Sequence, residues 1–112
     1  MNLAPPPTWQ PVDRAAFVNW LTGLLPDTIV GYAGGVRAHP LARYLDYRDG
    51  SDELFWYAGY QHHEARVIFA DSDLERTHSQ EGWVAAFCRA LLPPDSYRQV
   101  TAAECLRVLE GL

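Results

Sequence analysis

The residues of this sequence best suited to metal or acid–base chemistry are a pair of histidines and, further along, a pair of aspartates. Imidazole and carboxylate groups hold divalent ions, and a third histidine could act as a base beside the aspartates. This pattern defines one hypothesis, a small metal- or ligand-binding enzyme. Its residues would be His62, His63, Asp71, Asp73 and His78.

The spacing of these residues favours simpler interpretations. Neighbours on a strand point to opposite faces, so His62 and His63 can share one ion only if they lie in a loop. They match neither HExxH nor H-x₃₋₅-H, and a solvated turn is the favoured interpretation. Asp71-Ser72-Asp73-x-Glu75 also makes a good helix start with Ser72 as N-cap, so we expect neither a metal nor a cofactor.

The sequence lacks the residues that several other catalytic chemistries require. All nine basic residues are arginine, which removes Schiff-base and pyridoxal-phosphate chemistry and the P-loop lysine. There is no G-x-S-x-G, and Cys88 and Cys105 lie in apolar helical patterns typical of core residues. Residues 31–37 could bind an anion through glycine backbone and Arg37, but a strand bend at Gly34-Gly35 is favoured. We therefore expect that the protein is not an enzyme.

Composition limits the partners and the compartment. The chain has 112 residues and a net charge of −5, and its basic residues are scattered, so it offers no stripe for a nucleic-acid duplex. We expect no membrane segment, because no apolar run approaches roughly 20 residues. We expect no export signal, because residues 1–11 have neither a basic n-region nor an apolar h-region. Two cysteines without a disulfide framework favour the cytoplasm. The lack of lysine and the abundance of alanine are typical of a GC-rich bacterial genome.

Residues 1–37 predict an arm, a helix and a strand, in that order. Residues 1–11, with three consecutive prolines, predict an extended arm, and residues 12–112 a single domain. Asp13 is the expected N-cap of an amphipathic helix that ends before Pro26. Residues 28–37 then predict a short strand that bends at its glycines.

A hairpin is the clearest sequence signal. Residues 41–48 and 53–60 alternate as strands around the turn residues "DGSD", and residues 66–71 predict a third strand with Tyr60 opposite Arg66. In this register Leu45, Trp56 and Ile68 share one face. The opposite face would be aromatic and would carry Tyr44, Phe55, Tyr57 and Phe69.

The C-terminal part predicts helices. Capping patterns begin at Ser72, Thr77 and Thr101, and apolar stripes of helical spacing follow. Residues 96–100 are an edge strand or merely extended. The whole pattern predicts an α+β fold, with an antiparallel three- to four-stranded meander on which one N-terminal and two C-terminal helices pack.

The aromatic face carries the leading functional hypothesis. If all helices cover the opposite face, its rings are exposed and suit a homodimer or another protein partner; if helices cover both faces, the rings are core. Base stacking is disfavoured because the accompanying charges are Asp46 and Glu53. We therefore expect a small non-catalytic protein-binding or self-associating module. A weaker alternative is an acidic inhibitor or immunity-type protein that captures a basic partner.

Overall fold

Four α-helices and two antiparallel sheets make up the residues that the structure, a computed structural model, describes: 10–49, 55–72, 77–91 and 98–112. The helices are α1 (Arg14–Thr22), α2 (Pro40–Asp49), α3 (Trp83–Leu91) and α4 (Ala102–Glu110). The strands are β1 (Ile29–Tyr32), β2 (Trp56–Gln61), β3 (Arg66–Asp71), β4 (Thr77–Gln80) and β5 (Gln99–Thr101), and His62–Glu64 form one 3₁₀ turn. β2, β3 and β4 form a meander, and β1 pairs with β5. The predicted α+β class, with a meander, an N-terminal helix and two C-terminal helices, is confirmed.

The N-terminal helix begins at its predicted cap. The carboxylate of Asp13 accepts a hydrogen bond from the amide of Ala16 at 2.9 Å, which satisfies one of the free donors of the first turn. Phe17 and Leu21 on the buried side have no exposed surface. Burying two such side chains stabilises the fold by about 1.5–3 kcal/mol each.

Most of the predicted N-terminal arm, residues 1–9, lies outside the described residues. The chain just before α1 is held at two points. The side-chain amide of Gln80 both accepts from the amide of Val12 at 2.8 Å and donates to its carbonyl at 2.9 Å. Arg48 donates to the carbonyl of Gln10 at 2.8 Å. Gln80 thus pairs with the backbone of Val12 much as a neighbouring strand would.

The prediction of a strand over residues 41–48 is wrong, because this segment is helix α2. Pro40 occupies the first helical position, where its fixed φ and missing N–H favour a helix. Leu41, Tyr44 and Leu45 are buried, and this spacing of i, i+3 and i+4 is that of one helix face. The predicted turn, residues 49–52, lies mostly outside the described residues.

The predicted register of the next two strands is wrong by one residue. Tyr60 pairs with Val67 rather than with Arg66. The reason is the connection: residues 62–64 form the 3₁₀ turn and Ala65 adopts a left-handed φ of 50°, so Gln61 still belongs to β2. A one-residue shift exchanges the two faces of β3. Ile68 therefore leaves the side of Trp56, and Phe69 joins it.

The capping pattern at Thr77 does not begin a helix. Residues 77–80 form β4, which pairs with β3 and places His78 opposite Phe69. Helix α3 begins later, at Trp83, after Gly82 with its φ of 75°. The Ser72 pattern extends into residues 73–76, which lie outside the described residues.

The last helix follows its predicted cap. The hydroxyl of Thr101 accepts from the amide of Glu104 at 3.2 Å, and the Glu104 carboxylate pairs with Arg98 at 2.5 Å. The preceding strand is β5, so the edge-strand interpretation holds for Gln99–Thr101. It pairs with β1, and Ala33 N–H adds a 2.8 Å bond to the Arg98 carbonyl.

One hydrophobic cluster joins helices and sheets. It includes residues from all four helices and from β1, β2, β3 and β5. Cys88 and Cys105 are free thiols inside this cluster, which confirms them as core residues. Within the described ranges, none of the helices has the length and apolar character needed to cross a membrane.

Candidate functional site

The four rings of the predicted aromatic face do not lie together, so that grouping is wrong. Tyr44 belongs to α2 and is buried, with its ring centroid 5.3 Å from that of Phe17. Phe69 points into the core and has no exposed surface. Only Phe55 and Tyr57 remain on the other side of the meander, where both are half-buried.

The meander has two different faces, which follow from its register. Directly opposed residues share a face, so Trp56, Ala58, Val67 and Phe69 form the inner face, and all are buried. The other side, here named the outer face, carries Tyr57, Gly59, Gln61, Arg66, Ile68, Ala70, Thr77 and Ser79. Each of these eight residues is half-buried or exposed. The alternation is that of a sheet with one face packed on the core.

The outer face has an apolar centre. Tyr57 pairs with Ala70 and Gly59 with Ile68, so the ring of Tyr57 stands beside small and aliphatic side chains. The ring of Phe55 meets that of Tyr57 edge to face, with centroids 5.3 Å apart. Two rings in this arrangement attract each other beyond their burial.

The rim of this centre is polar and carries the positive charge of Arg37. Arg66 forms an ion pair with Glu64 at the turn end of the strands, which cancels its charge. Thr77 and Ser79 on β4 are uncharged. The guanidinium of Arg37 lies 3.9 Å above the ring of Phe55, in cation–π contact.

The predicted histidine and aspartate set is divided between the two ends of the meander. His63 is exposed in the turn before β3, whereas Asp71 ends β3, about 17 Å away along the strand. The backbone of His62 lies in the same turn as His63. Asp73 lies outside the described residues.

Asp71 and His78 are the two members that the fold brings together. His78 faces Phe69 from β4, and Asp71 is two residues further along β3 on the same inner face, a diagonal neighbour. Asp71 is buried, and the ring of His78 lies 6.5 Å from that of Trp56. No group of three His, Cys, Asp or Glu side chains within the described ranges could hold a metal ion.

A second pair, His39 and Cys88, meets in the core and was not foreseen from the sequence. The Cys88 sulfur lies 3.7 Å from Nε2 of His39, beside a cavity of about 370 Å³. Nδ1 of His39 accepts a hydrogen bond from the amide of Leu41 at 3.1 Å, so the neutral ring carries its hydrogen on Nε2. An imidazole with this tautomer cannot take the proton of the thiol.

Burial fixes both groups in their neutral forms. It lowers the pKa of His39 from 6.5 to about 4 and raises the pKa of Cys88 from 9.0 to about 12. A nucleophilic cysteine needs the opposite shift, toward the thiolate. The pair is therefore a packed core contact.

The glycine-rich loop, residues 31–37, folds back on β1. Two of its backbone amides donate to carbonyls of the same segment or of the next residue. The amide of Tyr32 bonds to the Ala38 carbonyl at 2.9 Å, and that of Gly35 bonds to the Tyr32 carbonyl at 3.1 Å. A Cβ at Gly31 would lie 2.2 Å from the Ala38 carbonyl oxygen, so only glycine permits this approach. These bonds engage the amides of Tyr32 and Gly35 in local backbone contacts.

A cleft of about 750 Å³ lies beside this loop, between α1, β1 and α2. Two arginines of its wall, Arg37 and Arg43, stand near one half-buried carboxylate, Asp46. The sequence offered Arg37 as a candidate, but it could not place Arg43 and Asp46 beside it, because both were assigned to a strand.

Comparisons of the chain with protein-family models, with curated proteins and with solved structures find no match. Any functional inference therefore depends on the geometry of the described residues.

Proposed function

We propose that the protein is a small non-catalytic binding module that pairs with a second copy of itself through the outer face. The observation that carries the proposal is the apolar centre of that face. There Tyr57 stands beside Ala70 and Ile68, and Phe55 packs against its ring. Each of these side chains is half-buried, whereas Trp56, Ala58, Val67 and Phe69 of the inner face are buried.

The layout of the outer face supports a protein interface. Protein–protein interfaces have an apolar, often tyrosine-rich centre and a polar rim that stays wet. Here the rim consists of Gln61, the Arg66–Glu64 pair, Thr77 and Ser79. The centre carries no charged side chain that would have to be desolvated.

A second copy is the proposed occupant because the outer face carries little charge. Two chains of net charge −5 repel each other, and contact through a weakly charged face keeps that repulsion small. Sheet faces pack on each other readily, and a two-fold axis would bring the same patch of both copies together. Gly59 and Ala70 leave space beside Tyr57 for the ring of the partner.

The dimensions of the face set the strength of the contact. Three strands of about five residues cover roughly 17 by 10 Å, which is small for a protein interface. We therefore expect weak, reversible pairing, with a dissociation constant of about 1 μM or higher.

The titratable groups support binding rather than catalysis. His39 and Cys88 are held neutral, and His63 is exposed at the far end of β3 from Asp71. The compartment that suits the two free cysteine thiols is the cytoplasm, which we include in the proposal.

The test replaces Tyr57 by glutamate and measures sedimentation velocity over a concentration series. A carboxylate at the centre of the contact would have to be buried unpaired, so dimerisation should weaken by more than about tenfold. The matched control is Tyr47→Glu, because Tyr47 is a 68 % exposed tyrosine on α2. Circular dichroism confirms that both variants fold.

Two results would count against the proposal. Equal weakening by both substitutions would mean that added charge, not the outer face, matters. A wild-type protein that stays monomeric but captures a basic protein, with affinity that falls steeply with salt, would favour the acidic inhibitor instead.

A further inference from the structure

The cleft between α1, β1 and α2 is lined by both apolar and charged side chains. Its volume of about 750 Å³ lies in the range of small-molecule sites, about 300–1,000 Å³. Trp20, Leu24 and Val30 supply apolar surface. Arg37 and Arg43 line the same cleft, so a ligand that fills it would meet both kinds of surface.

The two arginines keep their hydrogen-bond donors available. Arg37 stacks on Phe55, a contact that positions the guanidinium through its face and leaves its N–H groups at the edge. Arg43 projects from α2 and is exposed. Across the described parts of the chain, neither guanidinium has a hydrogen-bonded or ion-paired partner.

The one carboxylate of the cleft is already engaged. Oδ1 of Asp46 accepts from the amide of Trp56 at 2.8 Å and so joins α2 to the edge of β2. Burial raises the pKa of Asp46, while the Trp56 bond and the two arginines oppose that rise. Among the described residues that line the cleft, two guanidinium groups and one carboxylate leave one positive charge in a protein of net charge −5.

We propose that this cleft binds an amphipathic organic monocarboxylate, with its apolar body against Trp20, Leu24 and Val30 and its carboxylate on Arg43 and Arg37. Guanidinium and carboxylate match in a planar, two-point hydrogen bond. A ligand with a single negative charge neutralises the excess positive charge of the site. A dianion such as a phosphate monoester would leave one negative charge uncompensated in the cleft.

The test is an amide-shift titration of isotope-labelled full-length protein by NMR, with 2-naphthoate as the probe. Saturable shifts should appear at the amides of residues 36–38 and at the indole N–H of Trp20. The neutral analogue 2-naphthamide keeps the apolar body and loses the charge. It should bind about tenfold more weakly, because a charge-assisted hydrogen bond is lost.

Matched variants identify which arginine binds the carboxylate of the probe. Arg43→Gln should weaken naphthoate binding about tenfold and leave naphthamide binding unchanged. Arg37→Gln should act in the same direction, but it also removes the contact with Phe55, so Arg43 is the cleaner position. Arg89→Gln, at an exposed arginine of α3 outside the cleft, is the control and should change nothing.

Three results would overturn the inference: no saturable shifts at the cleft, equal affinity for acid and amide, or the same loss from Arg89→Gln as from Arg43→Gln. The outcome is independent of self-association, because the probe is read at the cleft and not at the outer face. Dimerisation without naphthoate binding, or the reverse, would separate the two proposals.

Discussion

At the scale of single residues, the buried His39 couples protonation to the stability of the fold. It is 4 % exposed, and its Nδ1 accepts from the amide of Leu41 in the first turn of α2. The side chain thus satisfies one of the donors that a helix leaves free at its N-terminus. It does so only while the ring is neutral, because a protonated imidazole accepts no hydrogen bond.

This bond makes acid stability depend on His39. Above pH 6.5 the ring is neutral in both the folded and the unfolded chain. Between pH 6.5 and about 4 the unfolded chain takes up a proton that the folded protein does not, so the free energy of unfolding falls as the pH falls. The total loss from this one group is about 3 kcal/mol.

We predict that His39→Asn, whose side-chain oxygen can accept the Leu41 bond, flattens the pH dependence of unfolding between pH 6.5 and 4. Urea unfolding at several pH values measures it, and only the slope is compared, because the smaller side chain also costs stability at pH 7. An unchanged slope in His39→Asn would show that the ring titrates normally.

The sequence predicted single-residue features where they are local. The caps Asp13 and Thr101 depend on atoms three residues away, and both form as expected. The meeting of His39 with Cys88 joins positions 49 residues apart and depends on how α2 and α3 pack. No spacing rule contains that information.

At the scale of elements, two local ambiguities in the sequence led to the wrong predictions for α2 and for the register of β2 and β3. Residues 41–48 alternate like a strand, but their apolar positions also fit a helix face, and Pro40 at the first turn favours the helix. The turn at residues 62–65 is one residue shorter than expected, which shifted the register. These two errors explain why Tyr44 and Phe69 were wrongly grouped with Phe55 and Tyr57.

The register predicts opposite results for two neighbouring residues of β3. Val67→Thr buries a hydroxyl in the core and should lower the free energy of unfolding by about 1–3 kcal/mol. Ile68→Thr, on the outer face, should cost less than about 1 kcal/mol, since its hydroxyl can reach water. Threonine keeps a high strand propensity in both. Urea unfolding at concentrations too low for pairing measures the difference, and the reverse order would restore the register with Tyr60 opposite Arg66.

At the scale of the whole molecule, the two proposed sites are set by how charge is distributed. The net charge of −5 keeps copies apart in most orientations, while the outer face is nearly neutral and the cleft is locally positive. The net charge could be read from the sequence. Which sheet residues remain half-buried could not, because that depends on the register and on where α2 and α3 pack.

The central claim is that the outer face is where two copies meet, and an NMR dilution series of the untagged wild-type protein tests it most directly. If two copies meet there, amide shifts that depend on concentration are confined to outer-face residues, with Tyr57, Gly59, Ile68 and Ser79 among them. The exposed Tyr47 on α2 should not move. Spectra that do not change with concentration, or changes centred on Tyr47 or on the cleft, would contradict it.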